Sequence, residues 1–219
     1  MKMRLISVNV GRPRLVLYEG DTVSTAIFKD PVSGPVRLAK LNLEGDRQAD
    51  LNVHGGVNRA VYAYPVEHYD FWRERYPHFP WQWGAFGENL TVEGLAEDTL
   101  HIGDQVCIGS ARFTVTQPRT PCFKLGIKFG TNRIITEFLE SGRSGFYFSV
   151  TEEGELQAGD DIRVNPIGTD QITIAEANHM MTAKSVPQEL LERALASPSL
   201  SPKWRERFRE KFAAQLIAR

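Results

Sequence analysis

The sequence lacks the features that define several large protein classes. Only two of its 219 residues are cysteine, too few for a disulfide framework, so both thiols are expected to stay reduced. No apolar run approaches the roughly 18 residues of a membrane span. The first residues also lack the apolar segment and cleavage site of a signal peptide. We therefore expect a cytoplasmic protein that does not associate with membranes.

A surplus of positive charge is also missing. Lys and Arg together number 26 and Asp and Glu 27, which gives a net charge of -1. Nucleic-acid-binding proteins usually show a strongly basic face, so no nucleic-acid partner is expected, although a local basic cleft remains compatible with this balance. The content of 42% apolar and 24% charged residues is that of an ordinary globular protein.

Common cofactor and catalytic motifs are absent as well. The sequence contains no Gly-rich phosphate loop ending in Gly-Lys-Ser/Thr, no GxGxxG, no HExxH and no GxSxG. The five histidines and two cysteines do not follow a zinc-ligand spacing. The sequence therefore carries no nucleotide, flavin or zinc motif of its own.

Short strands dominate the first part of the chain. β-branched residues in partial alternation, separated by Gly and Pro, predict strands at 4–10, 24–28, 36–43, 104–108, 111–116, 146–150 and 161–164. Helical periodicity appears only at 66–76 and 131–140. Many short strands with two helices favour a mainly β domain, a closed or nearly closed β-barrel, over residues 1–168.

The pattern becomes helical after Gly168. Two capping-box patterns, at 173–176 and 185–188, and a serine followed by proline at 201–202 mark three helix starts. Apolar residues then recur at four-residue spacing on one stripe: Trp204, Phe208, Phe212 and Leu216. We predict a small three-helix domain over residues 169–219.

Cys122 is the first candidate for chemistry. It follows Pro121 just after a predicted strand, where the backbone is stiff and lies at a barrel rim. Arg119 is close enough in sequence to favour the thiolate, which is a nucleophile or a soft metal ligand. A small buried apolar residue is the alternative interpretation. For Cys107, in the middle of a strand, packing is the favoured role.

A second candidate site surrounds His54. Gly55 and Gly56 allow backbone N–H groups to approach an anion closely, and Arg59 offers a bidentate clamp for phosphate or carboxylate. His54 carries a proton near neutral pH. A hairpin turn with a surface arginine is the alternative.

Asn89, in the stretch FGENLT, is a third candidate. Its side-chain amide offers both a donor and an acceptor, which suits the edge of a heterocycle. An asparagine in a turn is the alternative explanation for the same residue.

Four segments occur in an order that resembles the MOSC domain, named for the C-terminal region of molybdenum cofactor sulfurases. They are LEGDRQADLNVHGGVNRAVYAYPVEHYDFW, FGENLTVEGL, HIGDQV and VTQPRTPCFKL. The similarity covers essentially the whole chain and is greatest to the small stand-alone bacterial members, the 6-N-hydroxylaminopurine reductases. It implies a β-barrel whose pocket holds the molybdenum cofactor, a molybdopterin with molybdenum.

The resemblance also implies roles for individual residues. Cys122 matches the family's protein ligand to molybdenum, and Arg119 and Thr120 beside it would contact the pterin or its phosphate. The remaining matches would form other walls of the pocket: His54, Gly55, Gly56, Arg59 and Asn89, with Gln48 and Lys124 as secondary candidates.

The implied activity is reduction of N-hydroxylated compounds, base analogues especially, with His54 as the proton donor. Because the sequence has no flavin or iron–sulfur motif, an external flavoprotein would supply the electrons. A carrier of cofactor or sulfur that uses Cys122 without catalysis is the main alternative. A cysteine hydrolase built on Cys122 and His54 is a third hypothesis. The basic residues of the last predicted helix either dock an acidic partner or form a solvated face.

Overall fold

A computed structural model describes residues 2–49, 55–168 and 171–217. Its strands are β1 Arg4–Val10, β2 Arg14–Tyr18, β3 Asp21–Thr25, β4 Asp30–Val32, β5 Val36–Leu38, β6 Val61–Pro65, β7 Leu90–Glu93, β8 Gln105–Ile108, β9 Ala111–Pro118, β10 Phe146–Glu152, β11 Gly154–Leu156 and β12 Ile162–Asn165. Its α-helices are α1 Tyr69–Arg75, α2 Phe123–Phe129, α3 Arg133–Glu140, α4 Ile174–Thr182, α5 Gln188–Ala196, α6 Pro202–Lys211 and α7 Ala213–Ile217. The predicted mainly β first part with C-terminal helices is confirmed.

Eight strands form one mixed sheet in the order β12-β8-β9-β10-β6-β7-β1-β4. All neighbours are antiparallel except β6 and β7, which are parallel. The predicted hairpin is present, since β8 pairs with β9 from Ile108 opposite Ala111 to Gln105 opposite Thr114. β9 then pairs with β10, where Pro118 lies opposite Phe146.

The sheet approaches closure but does not complete it. β1 and the start of β12 meet at a single isolated bridge between Arg4 and Asp161. The amides of Leu5 and Ile162 add bonds to the carbonyls of Asp160 and Met3, both 2.9 Å long. The expectation of a mainly β domain is therefore correct, but among the described strands no continuous ladder closes the seam into a barrel.

Two hydrophobic clusters pack against the sheet. The main core consists largely of aliphatic side chains from the strands, continuing without interruption into α4, α5 and α6. The aromatic cluster contains Tyr62, Tyr64, Tyr69, Trp72, Ala85, Phe86, Leu125, Ile134, Phe138 and Ile27. Because the C-terminal helices share the main core, their apolar faces are stabilised by the sheet and not by each other alone.

The predicted helix starts have different outcomes. Thr173 and Glu176 form a complete capping box at α4, with bonds of 3.0 and 2.8 Å. The second capping box is wrong: α5 begins after Pro187, and the Gln188 amide donates to Glu192 on its own helix instead. Pro202 occupies the first turn of α6 as predicted, but the Ser201 hydroxyl makes no capping bond.

Some strand and helix bounds differ from the prediction. The strand predicted at 36–43 ends at Leu38, because the chain turns back with the Ala39 amide bonded to the Asn42 carbonyl. The segment 24–28 keeps only its first residues as β3 and then becomes irregular. Helix α2 is absent from the prediction. Leu125, Phe129 and the left-handed Gly130 that ends the helix are the signals that identify it.

Candidate functional site

Strand β9 carries the chain to the site. It ends at Pro118, and the next four residues lead into α2, which begins immediately after Cys122. Cys122 is half-buried and lines a cleft of about 110 Å³. The cleft's described lining comes from six separate parts of the chain: 25–29, 46–49, 59–62, 87–89, 119–124 and Tyr147.

The cleft is electropositive. Of its described lining residues five are cationic and one, Asp46, is anionic; the cations are Lys29, Arg47, Arg59, Arg119 and Lys124. Asp46 is itself paired, with its Oδ1 2.5 Å from Lys29 Nζ and both side chains buried. The remaining positive charge suits an anionic ligand.

Arg119 is held rigidly at the back of the cleft. Its Nη1 donates to the Phe86 carbonyl, and its guanidinium carbon lies 4.7 Å from the centre of the Tyr62 ring. Burial tends to lower the pKa of Arg119, but Tyr62, Tyr147 and Cys122 more than offset it and raise the pKa above its usual range. Arg119 is therefore a permanent cation close to the Cys122 sulfur.

Tyr62 and Tyr147 form the aromatic wall of the cleft, with ring centres 5.0 Å apart. Burial raises the pKa of both hydroxyls, most strongly for Tyr62, and Arg119 only partly opposes this. The neutral Tyr62 hydroxyl donates to the Ser144 carbonyl at 2.8 Å. Both rings therefore remain uncharged at physiological pH.

Asn89 and Asp46 form a buried network beneath the cleft. The Asn89 amide nitrogen donates to Asp46 Oδ2 at 3.0 Å, and its oxygen accepts from the Tyr62 amide at 3.2 Å. Asp46 also accepts from the Gly11 amide at 2.8 Å. The amide oxygen and nitrogen of Asn89 are thus bonded to protein and hold Asp46 and β6, and the heterocycle contact of Asn89 stays a prediction.

Glu88 explains why the neighbouring residues form a tight loop. It is fully buried and accepts hydrogen bonds from the Tyr69 hydroxyl, the Gly84 and Phe86 amides and the Thr91 hydroxyl. Multiple donors of this kind stabilise a buried carboxylate. The loop delivers Gly87, with φ of 78°, to the cleft lining.

Two lysines near the cleft, the buried Lys29 and the half-buried Lys128, have lowered pKa values. Burial lowers the pKa of Lys29, with Asp46 acting in the opposite direction. Burial also lowers the pKa of Lys128 to about 8. Lys128 Nζ donates to the carbonyls of Ile27 and Gly84, so it ties the irregular segment after β3 to the loop of Glu88.

Gln48 and Arg59 form the opposite wall. The Gln48 amide nitrogen donates to the Arg59 carbonyl at 3.1 Å, while its buried Oε1 has no hydrogen-bond partner among the described residues. Arg59 ends the short 3-10 turn Val57–Arg59, which Gly56 precedes with φ of 96°.

The sequence-predicted residues are partly brought together. Cys122, Arg119, Thr120, Arg59 and Asn89 line one cleft, as do the secondary candidates Gln48 and Lys124. Gly55 and Gly56 directly precede the turn that carries Arg59 and do not contribute to the described lining. His54 lies outside the described residues. The binding roles of all these residues remain predictions.

Sequence reasoning missed several cleft residues. Lys29 and Tyr147 lie outside the four family-like segments, and Asp46 and Tyr62 lie within the first segment without being singled out. They reach the cleft from parts of the chain that are far apart in sequence. A buried Lys–Asp pair leaves no local pattern in sequence, because the partners are 17 residues apart. The tyrosines sit in strands whose alternation indicates only that they are half-buried.

Residues 50–163 match the family described as MOSC domain, and residues 172–215 match the one described as YiiM-like, 3-alpha helix domain. The chain is 40% identical over 207 residues to YflK of Bacillus subtilis, covering 94% of this chain and 93% of the relative. It is also 30% identical over 197 residues to a protein of Gibberella moniliformis named Reductase, covering 89% of this chain and 35% of that protein.

The structure is similar to the crystal structure of YiiM from Geobacillus stearothermophilus, with a TM-score of 0.79 and 35% identity over 95% of this chain and 98% of that one. The chain therefore belongs to the MOSC domain family. Within that family, the additional helical match at its C-terminal end makes it a MOSC protein of the YiiM type. None of the described helices has the length and apolar character needed to cross a membrane.

Proposed function

We propose that this protein is a molybdenum-cofactor-dependent reductase of N-hydroxylated compounds such as 6-N-hydroxylaminopurine and related base analogues. The observation that carries the proposal is the position of Cys122, whose soft thiol lines a cleft with a surplus of fixed positive charge. Membership of the MOSC family and a relative named Reductase support a redox activity.

The residues of the cleft fit the cofactor. Molybdopterin carries a phosphate, which the cations Arg59 and Arg119 match in charge. Its pterin carries N–H donors, and the buried Gln48 Oε1 is an acceptor without a partner among the described residues. No group of three or more His, Cys, Asp and Glu side chains capable of holding a metal occurs in the described part of the chain. Cys122 would therefore bind a metal that brings its other ligands, as the dithiolene of molybdopterin does.

The reaction converts R–NHOH, two electrons and two protons into R–NH₂ and water. When bound, the cofactor supplies the two electrons for cleavage of the N–O bond. Cys122 would hold the metal, and Arg119 would stabilise the negative charge of its thiolate. The aromatic wall of Tyr62 and Tyr147 would exclude water from that side of the cleft. His54 remains our proposed proton donor.

The electrons must enter from outside the chain. Since the sequence has no flavin or iron–sulfur motif, we propose a flavoprotein as the physiological electron donor. A reduced viologen dye replaces this partner in an assay, which separates the chemistry at the cleft from protein–protein recognition.

The two cysteines provide a matched test. Wild type, Cys122→Ser and Cys107→Ser are purified from a host that makes molybdopterin, and bound molybdenum and viologen-dependent reduction of 6-N-hydroxylaminopurine are measured. We expect near-stoichiometric metal in wild type and in Cys107→Ser. Cys122→Ser should lose at least about 100-fold in activity even where some pterin stays bound.

The same measurements discriminate the alternatives. A carrier of cofactor or sulfur would bind molybdenum through Cys122 but show no multiple turnover. A cysteine hydrolase would react with alkylating substrate analogues at Cys122 in metal-free protein. Wild-type protein without molybdenum, or full activity in Cys122→Ser, would disprove the proposed function.

A further inference from the structure

The C-terminal helices reach the cleft through one buried side chain, Gln117. It lies on β9, two residues before Arg119 and opposite Tyr147 of β10, and is 2% exposed. A buried primary amide is costly unless its oxygen and nitrogen both find partners. The hydrogen-bond partners of the Gln117 amide therefore indicate the role of this residue.

Only one orientation of the Gln117 amide satisfies its surroundings. In that orientation its oxygen accepts from Arg59 Nε at 3.1 Å and from Trp204 Nε1 at 2.9 Å, while its nitrogen donates to Ser201 Oγ at 2.7 Å. The opposite orientation would point the amide oxygen at an acceptor and the nitrogen at donors. Gln117 thus joins a cleft residue to two residues at the start of α6.

This network explains two features of the C-terminal helices. Ser201 stands at the N-terminal end of α6, yet its hydroxyl makes no capping bond because it faces Gln117. Trp204 is 3% exposed, and its indole N–H needs a buried acceptor, which Gln117 supplies. Packing alone would be served equally well by apolar residues at both positions.

The bonds around Arg59 act on different parts of the residue. Its carbonyl accepts from Gln48, its amide donates to the Gly56 carbonyl at 3.0 Å, and the preceding Asn58 carbonyl accepts from Thr116 at 2.7 Å. These contacts fix the backbone. The bond from Nε to Gln117 fixes the plane of the guanidinium group, which decides where its terminal nitrogens point.

We propose that Gln117, Ser201 and Trp204 are positioning residues through which the C-terminal helices orient Arg59 as an anion-binding group of the cleft. The assignment of this anion as the phosphate of the cofactor rests on the proposed function. The C-terminal helices would then contribute to ligand affinity directly, in addition to any role in recognising a partner protein.

The test uses the full chain, purified from a host unable to make molybdopterin, with inorganic phosphate as the probe. Gln117→Met and Trp204→Phe remove the hydrogen bonds and keep most of the volume. Phe208→Leu is the matched control, because it disturbs the same helix one turn away without removing a hydrogen bond. Circular dichroism confirms that each variant is folded, and titration calorimetry gives the dissociation constant for phosphate.

We expect Gln117→Met, which loses the bond to the charged Arg59 side chain, to weaken phosphate binding roughly tenfold. Trp204→Phe loses the neutral bond that orients Gln117 and should weaken phosphate binding roughly threefold, and Phe208→Leu should change it less than about twofold. A double-mutant cycle sharpens the result. In an Arg59→Lys background, which lacks Nε, Trp204→Phe should have no further effect. The Nε–H resonance of Arg59 should also shift in Trp204→Phe and stay in place in Phe208→Leu.

Three outcomes would overturn the inference: phosphate affinity unchanged in Gln117→Met and Trp204→Phe, an equal loss in Phe208→Leu, or no phosphate binding by the wild-type protein. Failure of the proposed function would give a different set of results. In that case molybdenum or turnover is missing from protein made in the cofactor-producing host, while the phosphate titrations still report on Arg59.

Discussion

The main core and the aromatic cluster are stabilised in different ways. The main core is held almost entirely by apolar contacts from strands and C-terminal helices. In the aromatic cluster the rings also carry donors and acceptors, as where Trp72 Nε1 donates to the Tyr64 hydroxyl at 2.7 Å. Among the described lining residues the aromatic rings are those of Tyr62, a member of the aromatic cluster, and Tyr147, which packs against it. Because the aromatic cluster contains hydrogen-bond donors and acceptors as well as apolar surface, it can stabilise buried charged side chains next to the cleft.

Among the variants that compare the two clusters, Glu88→Leu is expected to lower the free energy of unfolding most. The substitution leaves the Tyr69 hydroxyl and the Gly84 and Phe86 amides without their acceptor, at a cost of about 4 kcal/mol or more in the free energy of unfolding. Urea denaturation measures it. Glu88→Gln, which keeps part of the acceptor capacity, is the control and should lose clearly less. A loss under about 1 kcal/mol in Glu88→Leu would contradict the role given to hydrogen bonds in this cluster.

The second-largest loss in the free energy of unfolding is expected from truncation of an apolar side chain in the main core. Leu191 of α5 is fully buried, and Leu191→Ala removes packing without leaving any polar group unpaired. We expect a loss of about 3 kcal/mol in the free energy of unfolding and no change in phosphate affinity. Ala194 on the same helix offers the opposite control, because Ala194→Leu should be destabilising through overpacking. If phosphate affinity fell in proportion to the free energy of unfolding, the packing of the main core and ligand binding at the cleft would not be independent.

A smaller effect is expected for Trp72→Phe. The variant keeps an aromatic ring but loses the bond to the Tyr64 hydroxyl and part of the packing of the buried indole, so the free energy of unfolding should fall by about 2 kcal/mol. The Tyr64→Phe variant removes the other partner of this bond. In the double variant the two losses should not add, since they remove the same bond. Full additivity would mean that the bond contributes nothing.

The smallest effect concerns pH. The pKa of Lys128 is about 8 in the folded protein, below its value of 10.5 in the unfolded chain. Between these values the unfolded chain binds more protons than the folded protein, so the contribution of this group to stability rises with pH from about 8 to 10.5. The free energy of unfolding of wild type relative to Lys128→Met should therefore increase over this range. A difference that is flat with pH would contradict the lowered pKa.

The comparison also shows what sequence can reveal. The hairpin of β8 and β9 and the capping box of α4 follow from local patterns, because turn and capping chemistry acts over a few residues. Cys122 and Arg119 were found through a short motif. Lys29 and Gln117 were not, since each acquires its role from a partner far away in the chain. Helix α2 is missing from the prediction although its own residues signal it, and the cap at Ser185 is absent because Gln188 bonds to Glu192 on its own helix.

The seam between β1 and β12 has a consequence for how the protein is made. The amide of Leu5 is bonded to the carbonyl of Asp160, so the first strand cannot complete its contacts until the ribosome has synthesised the chain beyond that residue. Contacts of such large sequence separation slow folding. During synthesis the edge of β1 therefore stays available to chaperones, or to a neighbouring nascent chain, longer than any other part of this seam.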